Sequence, residues 1–507
     1  MADTKREIER KYEATGEQRL PELTRVPGVS GVIDRGVAEL DAVYYDTADQ
    51  RLAAGDVTLR RRTGGGDAGW HLKLPVAPDV RDEIRAPLAD TVPAELSALV
   101  RARTRGAALA PVMRLRSSRD VRHLVDGKGA LLAELSVDTV RADRLAGGSG
   151  SVSWTEIEVE LADDGDPAIL DAVDKRLRKA GINPSASASK LARALAETAT
   201  AGQEGPRPQE PGTATAGGQV LGYLRAQAEA IVAHDSAVRR ELPDSVHRMR
   251  VATRRLRSAF RSYRKHLDRT VTAPLADELK WLAAELGADR DQEVLAERLT
   301  AGIAAVPETL LLGPVRGRLR LWAVAGRTRT RRGTLAVLDS ARYLALLESL
   351  AALLDDPPLR PAAALPAGQA LPHAILRDYD RLAGRVEYAL GLPPGPERDI
   401  AMHSARKAAK RTRYAAEAAK PALGRPAKKF AKRMKAVQSL LGDHQDSVVA
   451  RDALRALAIQ AHAAGEPSFV WGLLHGQEAA SAAARERELP GVWAKASAAG
   501  LRTALGG

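Results

Sequence analysis

Between residues 57 and 161 the chain alternates apolar and polar positions in short runs: VTLRRRT from Val57, WHLKLP from Trp70, DEIR from Asp82, VMRLRS from Val112, LAELSVD from Leu132 and TEIEVEL from Thr155. A period of two puts one apolar and one polar face on a strand, and turns rich in Gly, Asp or Pro separate the runs. EIERKY at residues 7–12 alternates in the same way, with Glu7, Glu9 and Lys11 on one face and Ile8 and Tyr12 on the other. Beyond residue 218 the period lengthens to three and four, as amphipathic helices require. Residues 199–218, ATAGQEGPRPQEPGTATAGG, follow neither period and read as a flexible linker. The pattern predicts an α+β multidomain chain: an antiparallel β domain with some helix over 1–198, the linker, and an all-helical domain over 219–500.

The helical part repeats itself. VHRMRVATRRLRSAF (246–260) aligns without gaps on MHSARKAAKRTRYAA (402–416), and about 39 residues after each His comes LGADRDQEV (286–294) or LGDHQDSVV (441–449). Two signature pairs at nearly one internal spacing predict a duplicated unit, with halves of about 219–360 and 370–500.

Composition narrows the function classes. The 507 residues include no cysteine, which removes disulfides, thiolate metal sites and cysteine nucleophiles. The charged start MADTKREIERKY lacks the apolar core of a signal peptide, and no run approaches a membrane span, so a cytoplasmic location is expected. The net charge of +13 is unevenly placed: Lys and Arg number 30 against 32 Asp and Glu in residues 1–200, and 47 against 32 in the remainder. A surplus confined to the helical part points to a polyanionic partner there.

On the strands, the polar faces carry charge of a consistent kind. Glu7, Glu9 and Lys11 share a face, as do Glu156, Glu158 and Glu160; the others present Thr58, Arg60 and Arg62, then Lys73, Glu83 with Arg85, Arg114 with Arg116, and Glu134 with Asp138. Arg119 lies on the opposite parity to Arg116. A closed barrel of about eight strands would gather these faces around one interior. Clustered carboxylates call for a cation, and hard oxygen donors suit Mg²⁺ or Mn²⁺. Arg and Lys would grip the remainder of a phosphate chain.

These residues resemble the CYTH domain of the triphosphate tunnel metalloenzymes over roughly residues 5–198. The resemblance rests on the E-x-E-x-K strand of Glu7, Glu9 and Lys11, on YYDT at 44–47, LRRR at 59–62 and WHLK at 70–73, and on the E-x-E-x-E strand at 156–160. It implies an eight-stranded antiparallel barrel with Glu7, Glu9, Glu156, Glu158 and Glu160 as metal-site candidates. Lys11, Arg60, Arg62, Lys73, Arg85, Arg114 and Arg116 are then the expected triphosphate ligands, joined by Lys190 from a C-terminal helix. Glu7, Glu9 and Lys11 are the catalytic candidates. The expected reaction is metal-dependent hydrolysis of inorganic triphosphate to phosphate and pyrophosphate. The same fold is similar to thiamine triphosphatases and to one class of adenylyl cyclase, so an organic triphosphate is the alternative substrate.

In the helical part, His247, Arg250, Arg254, Arg257 and Arg261 step by three or four, and the second repeat answers with His403, Arg406, Lys407, Lys410 and Arg413. A following helix adds Lys428, Lys432 and Lys435. This half resembles the CHAD domain, the conserved histidine α-helical domain, over roughly residues 218–500; Asp289 and Asp291 in one repeat and Asp443 and Asp446 in the other extend the match. The resemblance implies two helical bundles around a basic groove that binds inorganic polyphosphate, and an association with polyphosphate granules. Nucleic acid is the disfavoured rival, because a chain that is 4% aromatic offers few stacking platforms. A non-catalytic polyphosphate-binding or targeting protein is the alternative to an enzyme.

Overall fold

In the computed structural model, residues 3–15, 19–199 and 212–506 are described; the side chains of residues 3, 288–291 and 325–330 lie outside the description. The chain divides into two compact units, 1–206 and 207–507. Most of the expected linker lies outside the described residues. Its last three residues already belong to a helix that starts at Ala216.

In the first unit, eight strands close a barrel. They are β1 (Asp3–Ala14), β2 (Gly31–Asp46), β3 (Thr58–Thr63), β4 (Gly69–Ala77), β5 (Val80–Ala86), β6 (Ala110–Val125), β7 (Leu131–Arg144) and β8 (Ser151–Leu161). Around the barrel the order is β1-β5-β4-β3-β2-β6-β7-β8, and every pairing is antiparallel. The alternating runs all fall on strands. The long β2 was not legible, because its first half, GVIDRGV, is exposed on both faces and has no apolar side to reveal it.

Closure depends on β1 changing partners. Residues 3–8 pair with β5, and residues 9–14 pair with β8. The edge of β1 left open beyond Ile8 is covered by residues 183–185: Glu13 N donates to Asn183 O (2.8 Å) and Ser185 N to Lys11 O (2.9 Å).

Side-chain parity sorts the barrel wall. The outward positions of β3, β4 and β5, among them Leu59, Trp70, Leu72 and Ile84, pack with Leu96 and Val100 of α1 (Ala94–Thr104). Those of β1, β6, β7 and β8, among them Tyr12, Leu124, Leu135 and Val159, pack with Leu170, Val173 and Leu177 of α2 (Ala168–Lys179). Each fully buried aliphatic side chain in these layers contributes about 1.5–3 kcal/mol. A third layer lies within the barrel. Leu191, Ala194 and Leu195 of α3 (Lys190–Glu197) pack on Tyr44, Met113, Leu115, Val140, Ala142 and Trp154, whose parity is inward, so α3 stops one end.

The second unit is helical. Its first half comprises α4 (Ala216–Arg239), α5 (Ser245–Ser262), α6 (Arg269–Glu285), α7 (Gly287–Ala305), α8 (Val315–Asp339) and α9 (Ala341–Asp355). The second comprises α10 (Ala367–Gly391), α11 (Pro396–Ala418), α12 (Lys420–Ala463), α13 (Phe469–Ala496) and α14 (Ala499–Gly506). The aligned His-led segments occupy α5 and α11. Where the first half splits α6 from α7 at Leu286, the second runs through as α12, kinked at Gly424, whose φ of +57° and ψ of −129° only glycine tolerates easily. Among the described residues, no helix is long and apolar enough to cross a membrane.

Candidate tunnel site and basic groove

The inward parity of all eight strands and the N-terminus of α3 create one polar interior of about 400 Å³. Lys11, Arg60, Arg62, Lys73, Arg85, Arg119 and Lys190 line it together with Glu7, Glu9, Glu83, Glu134, Glu158 and Glu160. Register explains the mixture: Glu9 lies opposite Glu160 and Lys11 opposite Glu158 across β1 and β8, while Glu134 lies opposite Glu160 and Asp138 opposite Glu156 across β7 and β8.

One end of the interior is held by Lys190. Its Nζ stands 2.9 Å from Asp138, 2.7 Å from Glu156 and 2.6 Å from Glu158. Arg119 donates in parallel to both oxygens of Asp138 at 2.7 Å and reaches Glu158 at 2.6 Å. The Glu156 carboxylate also accepts from Trp154 Nε1 at 2.6 Å. Burial works against the Lys190 charge, but Asp138, Glu158 and Glu156 outweigh it and raise the ammonium pKa above its ordinary value. Burial likewise opposes ionisation of Glu158, which Lys11, Lys190 and Arg119 hold well below the carboxylate range.

Toward the middle of the tunnel, Lys73 Nζ lies 2.5 Å from Glu7, and Lys11 pairs with Glu158 and, at 3.1 Å, with Glu9. Burial pushes Glu7 up to about 7 despite Lys73, with Glu83, Glu160 and Glu9 adding to the rise. Glu9 goes the other way: burial is overcome by Lys11, Lys73 and Lys190, which hold it at about 2. Two neighbouring carboxylates of one strand are thus driven apart by what each faces.

Glu83, 1% exposed, organises the cationic side. It lies 2.5 Å from Arg85 Nε, 2.9 Å from His71 Nδ1, 3.6 Å from Arg60 and 3.9 Å from Lys73. Arg60 is also within 3.4 Å of the Tyr44 hydroxyl, and Arg62 pairs with Asp67. A second cavity, walled by Pro75–Asp79 and Pro184–Ala188, shares Glu9, Lys11 and Arg81 with the tunnel and opens beside β1.

The expected residues therefore assemble, with one correction on β6. Arg114 and Arg116 point outward and are exposed; Arg114 binds Asp41 (Nε to Oδ1, 2.9 Å) and Arg116 binds Asp143 (2.6 Å). The inward row on this strand is odd: Met113, Leu115 and Ser117 are buried there, and Arg119 follows them into the tunnel. Strict alternation from Arg119 could have found it. The error came from choosing the parity with more charge.

The donor set fits a divalent cation. Glu7, Glu9, Glu158 and Glu160 bring hard anionic oxygens into one interior, and Asp138, Glu156 and Glu158 have oxygens within 4.8 Å of one another. Within that trio Glu156 is committed to Trp154 and Lys190, so the residues facing the open interior are the better ligands.

In the helical unit, Arg250 and Arg254 of α5 converge on Arg406 and Lys410 of α11. Burial pushes the Lys410 ammonium down to about 7, with Arg406, Arg254 and Arg250 adding to the fall and Asp446 of α12 opposing it. Burial, Lys407 and Arg406 lower His403 as well. Arg257 continues the row toward Arg261. Arg413 stacks over Tyr414 at 4.7 Å and pairs with Glu417 at 3.3 Å, and Lys428, Lys432 and Lys435 are exposed on α12. His247 is half-buried. The side chains of Asp289 and Asp291 lie outside the described residues. A separate cluster joins α11, α12 and α13, with buried His444 3.3 Å from Asp399 and 3.4 Å from Glu486; Arg451 and Arg398 balance these carboxylates at 2.8 and 3.1 Å.

Comparison with known proteins agrees with the geometry. The model of the CYTH domain matches residues 5–195, and that of the CHAD domain matches residues 222–455. The uncharacterized protein Rv2226 of Mycobacterium tuberculosis is 39% identical over 491 residues, which is 93% of either chain. Among solved structures, PptA from Streptomyces chartreusis is 24% identical, covers 55% of this chain and 99% of its own, and has a TM-score of 0.47. The CHAD domain from the plant Ricinus communis is 26% identical, covers 58% and 98%, and has a TM-score of 0.45. The chain belongs to the CYTH family through its barrel and to the CHAD family through its helical unit.

Proposed function

We propose that the barrel hydrolyses inorganic triphosphate to phosphate and pyrophosphate, and that the helical unit binds inorganic polyphosphate. The observation that carries the reading is one barrel interior that gathers a cationic set, Arg60, Arg62, Lys73 and Arg119, and a carboxylate set, Glu7, Glu9, Glu158 and Glu160. A linear triphosphate is a compact polyanion whose oxygens match the first set. The metal it carries matches the second.

Phosphoryl transfer asks the protein for positioning and charge neutralisation more than for covalent chemistry. Arg60, Arg62, Lys73 and Arg119 bind phosphoryl oxygens and spread the charge that develops on the transferred group. Glu83 holds Arg60 and Lys73 in place, Asp67 holds Arg62 and Asp138 holds Arg119, through the pairs described above. Lys11 and Lys190 meet the leaving pyrophosphate, and the carboxylates of β1 and β8 hold the cation and orient the attacking water. Glu7, Glu9, Glu158 and Glu160 would hold Mg²⁺ or Mn²⁺, which would supply Lewis-acid stabilisation of the phosphate oxygens. The bond broken is that between the terminal phosphorus and its bridging oxygen; the new bond joins water oxygen to that phosphorus, and its proton leaves to solvent or carboxylate.

In the helices, the meeting of both repeats' cations at Arg250, Arg254, Arg406 and Lys410 supports a polyphosphate groove, since a phosphate chain needs only spaced positive charge. Nucleic acid fits less well, with little aromatic surface to stack bases. Together these give a cytoplasmic enzyme tethered to polyphosphate, including granules. Phosphate release from inorganic triphosphate, thiamine triphosphate, ATP and long-chain polyphosphate, each with Mg²⁺, Mn²⁺ or EDTA, tests the reading. Fastest metal-dependent turnover of inorganic triphosphate is expected. Turnover of none of the four would reduce the barrel to a binding module.

A further inference from the structure

The basic row of α5 does not end in the groove. At its far end Arg261, with Arg264 just beyond the helix, faces Arg269 of α6, Arg381 of α10 and Arg411 of α11 around a cavity of about 440 Å³. Phe260, Thr272, Ala273 and Ala276 complete the wall, and Asp277 is the one carboxylate among the lining residues. Behind the cavity sits Asp378, 0% exposed. It lies 3.2 Å from Arg381 and 3.2 Å from Arg411, and it accepts from Ser262 Oγ at 2.5 Å. Five guanidinium groups against two carboxylates leave a surplus of three positive charges around one small space.

Two features of this pocket call for an anion. Like charges this close repel one another, and the separation is within the screening length of physiological salt. Arg411 Nη2 is also buried without a hydrogen-bond acceptor. Water at the cavity mouth can solvate the exposed Arg261, Arg264 and Arg269, but Arg411 sits at the back against Asp378. An oxyanion with several oxygens answers both needs at once. All five cations are Arg, whose planar forks bind phosphate oxygens in pairs and stay charged throughout the working pH range.

We propose that this arginine pocket is a second anion site of the helical unit, which takes a compact oligophosphate of a few phosphoryl groups independently of the groove at Arg250, Arg254, Arg406 and Lys410. Arg257 stands between the two sites, coupled electrostatically to Arg254 on one side and Arg261 on the other. The pocket is closed in by four helices, whereas a long chain needs an open track. A short free chain is therefore the preferred occupant over the middle of a long one.

Arginine modification by phenylglyoxal, read by mass spectrometry on the full-length protein with and without inorganic triphosphate, resolves the sites residue by residue. Arg264, Arg269 and Arg411 are expected to react about tenfold more slowly with triphosphate present. The same protection is expected in R250Q/R254Q/R406Q/K410Q. No protection of these arginines, or protection that vanishes in that variant or appears only with long-chain polyphosphate, would overturn the independent site. A second variant, R261Q/R264Q/R269Q, changes exposed side chains and should keep the parental melting temperature. Arg381 and Arg411 should lose their protection in it, and persisting protection would also defeat the proposal. Arg60 and Arg62 report barrel occupancy in the same spectra, so a failure here is distinct from a failure of the triphosphatase reading.

Discussion

Lys190 Nζ stands 2.6 Å from Glu158 Oε1, so a helix that stops the barrel also delivers a cation to the strand that closes it. The apolar face of α3 packs inside the barrel end, and Ser189 caps the helix by accepting from Ala192 N, which fixes where Lys190 enters. Without it, Arg119 and Lys11 answer Asp138 and Glu158, and Glu156 keeps the Trp154 indole N–H. Lys190→Met is predicted to destabilise the barrel by about 3–5 kcal/mol, the cost of leaving one partner of a buried pair behind. Adding Glu158→Gln should recover part of that loss, because the two residues are coupled. Denaturant unfolding of the single and double variants measures both effects; strictly additive losses would show that the pair does not interact.

The two arginine rows of β6 predict opposite phenotypes. Arg116 is exposed on the outer wall with Asp143, so Arg116→Ala is expected to change stability by less than about 0.5 kcal/mol and leave turnover intact. Arg119→Ala removes a buried fork from Asp138 and Glu158 and a ligand from the tunnel. A loss of about 100-fold or more in kcat/KM for triphosphate is expected. Equal activity in the two variants would return Arg119 to a purely structural role.

This contrast also marks how much the sequence reveals. Parity was most readable on β4 and β8, which carry charge on one side and an apolar row on the other, as in Glu156, Glu158 and Glu160 against Ile157, Val159 and Leu161; on β1, β3 and β5 the outward row is interrupted by Arg6 and Arg10, Arg61 and Asp82. On β6 the signal inverts. The inward positions Met113, Leu115 and Ser117 are apolar or small because α3 fills that end of the barrel, while the outer wall carries ion pairs. A helix plugging the interior from much later in the chain leaves no local trace. Likewise, the row from His247 to Arg261 looks uniform along α5, yet the neighbouring helices divide it between the cations that meet Lys410 and a separate pocket.

Glu9→Gln removes an ionised carboxylate from beside Lys11 while preserving its shape. With metal loaded, triphosphate turnover is predicted to fall by about 100-fold or more. Polyphosphate binding by the helical unit should stay at the parental affinity, since the two compact units carry separate sites. Parental turnover in the purified, metal-loaded variant would refute the assignment of β1 as the acidic edge.

Lys410 predicts two opposing pH trends in the helical unit. Half-buried among Arg406, Arg254 and Arg250, with His403 nearby and Asp446 the opposing charge, it falls from 10.5 to about 7. Between those values the unfolded chain binds a proton that the native state does not, so this group makes the native state more stable as pH rises from about 7 to about 10.5. A bound phosphate chain favours the charged form, so polyphosphate affinity should decline as pH rises through about 7, and binding above that pH should take up a proton. Calorimetric titration in two buffers of different ionisation heat counts the proton directly. Replacing Arg250, Arg254, Arg406 and Lys410 together by Ala should lower the slope of log affinity against log salt by about 3 and abolish the uptake. An unchanged salt slope, or parental affinity that stays flat from about pH 6 to 8.5, would return these residues to an internal charge network without a ligand.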